Sequence, residues 1–121
     1  MAKILLVDDS NLSRRILRRF LEPAGHAIIE AADGMAAIER YFLDQPDLVL
    51  LDMTMNGMHG LDVLSKLRQM DPQARVIAAT ADIQSSTRVM VRESGAAGFI
   101  SKPFVEDHVI EAVNAVLAGG E

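Results

Sequence analysis

The sequence predicts a doubly wound α/β domain, and three observations lead there. Short β-rich runs alternate five times with longer helical ones, without a repeat, low-complexity tract or internal linker. The runs KILLV, LVLL and RVIAAT are almost continuously apolar, as parallel strands covered by helices on both faces require. The 121 residues suit one domain (1–121) of five β-α units, whereas an eight-stranded barrel needs about twice that length.

Taken in order, KILLV (3–7) is the first strand, and NLSRRILRRFLEPAG is a helix ending near Pro23 and Gly25, where the chain can turn. In it Arg14, Arg15, Arg18 and Arg19 alternate with Ile16, Leu17 and Phe20, which predicts an amphipathic helix with its arginines on a solvated outer face. HAIIEA (26–31) is the second strand, and DGMAAIERYFLDQ the second helix, started by Asp33 as N-cap and closed before Pro46. LVLL (48–51) is strand three. GLDVLSKLRQMD (60–71) is helix three, ended by Asp71-Pro72, and RVIAAT (75–80) is strand four. IQSSTRVMVRESG forms helix four with Gly95 as its stop, GFIS strand five and VEDHVIEAVNAVLA helix five.

Composition narrows the function classes. No uncharged apolar stretch approaches a membrane span, and MAKILLVDDS reaches two acids too early for a signal peptide, so a soluble, cytoplasmic protein is expected. The absence of cysteine excludes disulfides, zinc-thiolate sites and cysteine nucleophiles. A net charge of -5 argues against general nucleic-acid affinity, despite the basic patch SRRILRRF.

In a doubly wound sheet, ligands bind outside the carboxyl ends of the strands. Asp8 and Asp9 follow strand one, Asp52 follows strand three, Thr80 closes strand four and Lys102 follows strand five. Singly, each has a plain structural role: Asp8 or Asp9 serving the start of helix one, Asp52 accepting bonds from the following turn, Thr80 satisfied by backbone, Lys102 solvated. Capping gives no reason for every strand end on one edge to carry such a group. Two ionised carboxylates about 5 Å apart repel by roughly 3 kcal/mol at an effective dielectric near 20, so three together need a cation. A hard, oxygen-preferring ion, Mg²⁺ above all, fits that need better than zinc or iron. Asp52 can then attack phosphorus to give an acyl phosphate, with Lys102 neutralising one equatorial oxygen and Thr80 donating to another.

With these residues assembled, the chain resembles the receiver domain of bacterial two-component response regulators, chemotaxis single-domain type. The motifs ILLVDDS, LVLLDMTM, GLDVL, VIAATA and GAAGFISKPF occur in that family's order and spacing, over essentially the whole chain. The resemblance implies a flavodoxin-like sheet of order 2-1-3-4-5. It implies that Asp52 is the phosphoacceptor, that Asp8, Asp9, Asp52 and the Thr54 backbone carbonyl hold Mg²⁺, and that Thr80 and Lys102 bind the phosphoryl group. The Lys102-Pro103 peptide is expected to be cis. Phe99 matches the switch aromatic, which moves inward with Thr80, and Thr54 and Asp82 occupy the positions that tune phosphoryl lifetime.

Where the family usually has met-pro-gly and an aspartate after the acceptor, this chain reads MNGMHG; Asn56-Gly57 still suits a tight turn, and His59 is expected at the surface. The implied partners are a sensor histidine kinase or phosphotransfer protein, docking at helix one through Leu12 and the arginines, and a downstream target protein or a missing output domain. Val89, Arg92, Ser101, Val105 and His108 are candidate contacts for the latter. No nucleic acid or membrane is expected, and the protein is expected as a monomer or a phosphorylation-promoted dimer. It is expected not to be an enzyme beyond self-phosphorylation and autodephosphorylation. The alternative is a degenerate receiver, an interaction module independent of phosphorylation. A phosphatase of the haloacid dehalogenase type would need an acid where Thr54 stands, and a flavin module would not bring DDSN to a phosphate.

Overall fold

Apolar residues alternate between the two faces of the strands, and both faces are covered. The computed structural model describes residues 2–54, 60–81 and 85–119, without the side chains of 85–87. Its elements run β1 (Lys3–Val7), α1 (Asn11–Leu21), β2 (Ala27–Ala31), α2 (Gly34–Asp44), β3 (Leu48–Asp52), α3 (Gly60–Met70), β4 (Val76–Thr80), α4 (Ser85–Glu93), β5 (Gly98–Ser101) and α5 (Glu106–Leu117). All pairings are parallel, in the order β2-β1-β3-β4-β5. That is the order the resemblance implies.

One face packs Ile4, Leu6, Leu50 and Ile77 against Leu17 and Leu21 of α1 and Val109 and Val113 of α5. The other packs Leu5, Val7, Val49 and Leu51 against Ala37 and Tyr41 of α2 and Val63, Leu64 and Leu67 of α3. Each fully buried Val, Leu or Ile side chain contributes about 1.5–3 kcal/mol by leaving water, so this double-sided core anchors the sheet. Among the described residues no helix is long and apolar enough to cross a membrane.

Element ends refine the expectations by a few residues. Helix α1 stops at Leu21, where the Glu22 N–H still donates to the Arg18 carbonyl, and Gly25 at φ 96 turns the chain toward β2. Asp33 caps α2 as expected, accepting from the Ala36 N–H at 2.8 Å, while Gln45 takes a left-handed conformation at φ 48 just before Pro46. Neither Asp8 nor Asp9 caps α1. Ser10 does, accepting from the Ser13 N–H at 3.2 Å.

The expectation of a solvated arginine face on α1 holds for exposed Arg15 and Arg19 and fails for Arg14. Arg14 is buried at 8 % exposure, and its Nε donates to Glu30 Oε1 of β2 at 2.8 Å. Arg18 reaches the other oxygen of Glu30 at 2.8 Å. The two arginines lie one helical turn apart and therefore share the β2 side of the helix.

On the opposite face the Tyr41 hydroxyl donates to Asp71 Oδ2 at 2.7 Å, tying α2 to the end of α3. Burial, then the hydrogen bond to Asp71, raises the phenol well above its ordinary range, and the same bond, with the Gln73 N–H, holds the Asp71 carboxyl below its own. An acid depressed in the folded state contributes stability above its unfolded pKa and loses it as pH falls through the folded one. Tyr41→Phe is accordingly expected to cost about 1 kcal/mol at neutral pH. Thermal melts in acid should show the gap to the unsubstituted chain narrowing as Asp71 protonates; a constant gap would refute the coupling.

Candidate functional site

The parallel register sets the strand ends level. Val7 pairs with Leu51, Asp52 with Ala79 and Thr80 with Ser101, so the residues at or just past these ends, Asp8, Asp52, Thr80 and Lys102, share the carboxyl edge of the sheet. Asp8 and Asp52 are each 2 % exposed and Thr80 1 %, while Asp9 faces solvent. The carboxylates of Asp8, Asp9 and Asp52 each offer an oxygen within 4.8 Å of the others. That spacing and all-oxygen chemistry suit a hard divalent cation.

Lys102 completes the group. Its Nζ lies 3.0 Å from Asp8 Oδ2 and 3.3 Å from Asp52 Oδ2, and Phe104 lies alongside, its ring centroid 5.7 Å away. Burial pushes the Asp8 carboxyl above its usual range, and the Asp52 charge adds to that; the Ser10 N–H and Lys102 offset them only in part. Burial by itself would lower Lys102, but the hydrogen bond and charge of Asp8, then Asp52, hold its ammonium above the ordinary lysine value. The Lys102-Pro103 peptide is cis.

Local contacts aim each acid. Asp8 Oδ1 accepts from the Ser10 N–H at 2.9 Å, which folds the turn into α1. Asp52 Oδ1 accepts from the Thr54 N–H at 3.0 Å and from its hydroxyl at 2.9 Å, leaving Oδ2 toward Lys102. Gly60 opens α3 directly against this strand end: a Cβ there would stand 2.5 Å from Met53 Cα and 3.0 Å from the Asp52 carbonyl oxygen. Glycine is what that approach requires.

Phe99 is half-buried on β5, with the Arg88 guanidinium 4.8 Å above its ring. Of the candidate contacts near it, Val89, Arg92, Val105 and His108 are exposed and Ser101 is half-buried. Asn56, Gly57, His59 and Asp82 lie outside the described residues.

The sequence reading missed the support beneath Asp8. Arg14 donates to the Asp8 backbone carbonyl and to the Asn11 side chain, while Glu30 holds its Nε. The signal was present: Arg14 stands three and seven residues before Leu17 and Leu21, on the buried stripe of α1.

Sheet order and edge chemistry together define a flavodoxin-like domain of the two-component signalling class. Residues 4–114 match the response regulator receiver domain, and the chain belongs to that family. It is 40 % identical to the chemotaxis protein CheY of Bacillus subtilis, over 95 % of this chain and 97 % of that one. It is 36 % identical to the sporulation initiation phosphotransferase F of the same organism, over 95 % and 93 %. Among solved structures, the CheX-CheY-BeF3-Mg+2 complex from Borrelia burgdorferi matches with a TM-score of 0.90 and 34 % identity, covering 94 % of this chain and 87 % of that one.

Arg14→Met is expected to lower stability by about 2 kcal/mol, since it strips a buried carbonyl of its donor and leaves the half-buried Glu30 carboxylate with Arg18 alone. Denaturant unfolding measures this, and a loss below about 0.5 kcal/mol would mean that the guanidinium contributes nothing net.

Proposed function

We propose that the chain relays a phosphoryl group, accepting it on Asp52 and changing the α4, β5 and α5 surface in response. The observation that supports this most is the buried Asp52 carboxylate at the end of β3, flanked by Asp8 and Asp9 and facing the Lys102 ammonium. The residues fit Mg²⁺, with Asp8, Asp9, Asp52 and the Thr54 carbonyl as its holders; when bound, the ion neutralises charge on the acids and on phosphoryl oxygens. The Mg-containing complex of the Borrelia relative points the same way.

In the transfer an Asp52 carboxylate oxygen forms a bond to phosphorus as the P–N bond of a donor phosphohistidine breaks. The electron pair goes to the imidazole nitrogen, and because the other ring nitrogen of the donor is protonated the leaving group is neutral imidazole. Lys102 neutralises an equatorial oxygen and Thr80 hydrogen-bonds another. Loss of the group is hydrolysis: water attacks phosphorus, the acyl-phosphate O–P bond breaks, and carboxylate and inorganic phosphate are restored. Thr54 and Asp82 set the rate of that step through water access. The protein does no other chemistry, and it works in the cytoplasm.

The acyl phosphate adds roughly -1.5 to -2 charges at neutral pH. Thr80 and Phe99 respond, and partners select between two arrangements of the α4, β5 and α5 face. The donor, a histidine kinase or phosphotransfer protein, docks on the exposed N-terminal part of α1, where Leu12 is 61 % exposed beside Arg15.

Intact mass after incubation with acetyl phosphate tests the core of this reading. A gain of about 80 Da, one phosphoryl group, is expected with Mg²⁺, and none with Asp52→Asn or without metal. The same sample should show shifted amide resonances at Phe99 and a changed decay rate in Asp82→Asn. No gain, with beryllofluoride also failing to bind, would instead favour an interaction module independent of phosphorylation. Arg15→Glu should slow transfer from a protein donor several-fold while leaving acetyl phosphate labelling unchanged; equal rates from both donors would remove α1 as the docking face.

A further inference from the structure

The nine arginines of this acidic chain, net -5, fall into three groups, of which Arg15 and Arg19 are exposed on α1 without a carboxylate partner among the described residues. Arg14, Arg18 and Arg40 sit in ion pairs. Arg68, Arg75, Arg88 and Arg92 form no direct ion pair with a carboxylate among the described residues, and all four line one cleft of about 580 Å³. The cleft runs along β5 from Phe99 to the loop before β4, between α4 and α5, and no acid among the described residues lines it.

Helix dipoles account for part of this placement. Arg68 and Arg92 occupy the last turns of α3 and α4, where a cation is favoured. They do not account for Arg75, which precedes β4, or for Arg88, a turn earlier in α4. Three of the four are also held in place without being neutralised. Arg68 Nη1 donates to the Ala74 carbonyl at 3.0 Å, and its Nε lies where a Cβ on Gly95, at φ 102, would stand 2.8 Å away. Arg75 Nε donates to the Asp47 carbonyl at 3.2 Å, and Arg88 rests on the Phe99 ring. With five N–H donors on each guanidinium, most remain available. Asp71 feels the Arg68 charge but forms no ion pair with it, giving one oxygen to the Tyr41 hydroxyl and the other to the Gln73 N–H.

We propose that this cleft binds a condensed phosphate chain, either as inorganic polyphosphate or as the tail of a nucleotide. Its volume is within the range of about 300–1,000 Å³ typical of small-ligand sites. All four cations are arginines, whose planar forks match phosphate oxygens pairwise, and they converge on a concavity from α3, α4 and the loop before β4. Concavity and anchoring favour a small polyanion over an acidic protein segment. The cleft holds none of Asp8, Asp9, Asp52, Thr80 and Lys102, so phosphate-chain binding is tested apart from phosphoacceptance, although Phe99 and Arg92 also belong to the face proposed to respond to it.

Calorimetric titration of the full chain, in Mg²⁺-free buffer, with inorganic tripolyphosphate and separately with ATP tests it. Inorganic phosphate, adenosine and polyglutamate serve as controls. Saturable one-site binding of tripolyphosphate is expected, falling with added salt and weakened about ten-fold or more in Arg68→Gln/Arg92→Gln. Equal binding of ATP would assign recognition to the phosphate chain, and tighter ATP binding to the nucleotide form. The Arg92 side chain has no hydrogen bond or ion pair among the described residues, so Arg92→Gln by itself carries the test if the double variant does not fold. Absence of saturable binding, affinity unchanged in Arg92→Gln, or Arg92-dependent binding of polyglutamate with none of tripolyphosphate would each overturn the proposal.

Discussion

The sharing of one ammonium by two buried carboxylates is the constraint on which this structure turns. Asp8 and Asp52, each 2 % exposed, both lean on Lys102, which lies 94 residues beyond Asp8 in the chain. Buried ions of one sign are tolerated only when paired and hydrogen-bonded, and each oxygen here has a named partner or a place at the cation-ready edge. Meeting that requirement needs β1 beside β3, β4 beside β3 and β5 beside β4, with their carboxyl ends level. Strand order and edge chemistry are two views of one demand.

The demand is met from both sides. On the β5 side the ammonium supplies charge; on the β2 side Glu30 binds Arg14, and Arg14 grips the backbone of Asp8. The Asp8 carboxyl is still pushed upward, because burial and the Asp52 charge outweigh the Ser10 N–H and Lys102. On the proposed reading, the cation that all three acids can share draws its affinity from the same burial that strains the site.

How much of this could be read from the sequence follows from the range of each interaction. The periodicity of KILLV, LVLL and RVIAAT reports burial on two faces, a local property, and so the five-unit fold was legible. Strand ends are also local features, which is why Asp8, Asp9, Asp52, Thr80 and Lys102 could be assigned to one edge before any geometry was known. Arg14 was misread because its partner Glu30 comes from another element, and alternation with apolar residues looks the same whether the arginine is solvated or paired. Its three- and seven-residue spacing to Leu17 and Leu21 was the better guide. Gly60 was invisible for a similar reason: the backbone it approaches, at Asp52 and Met53, is brought near by the crossover and not by any pattern around the glycine.

The same economy of charge says where a signal can leave. On the proposed reading, the phosphoryl group arrives at Asp52 with further negative charge, and the Lys102 ammonium there is already divided between Asp8 and Asp52. Redistributing Lys102 toward the new oxygens weakens its hold on Asp8 and pulls on the end of β5. The neighbouring pair Thr80 and Ser101, and the Lys102 N–H bonded to the Thr80 carbonyl at 2.9 Å, tie that movement to β4. Phe99, two residues back along β5 and only half-buried, has room to answer it, whereas the fully packed β1 and β3 do not. On that reading the response leaves through β5 because Lys102 and Thr80 are tied to it, and its incomplete packing gives Phe99 room to move.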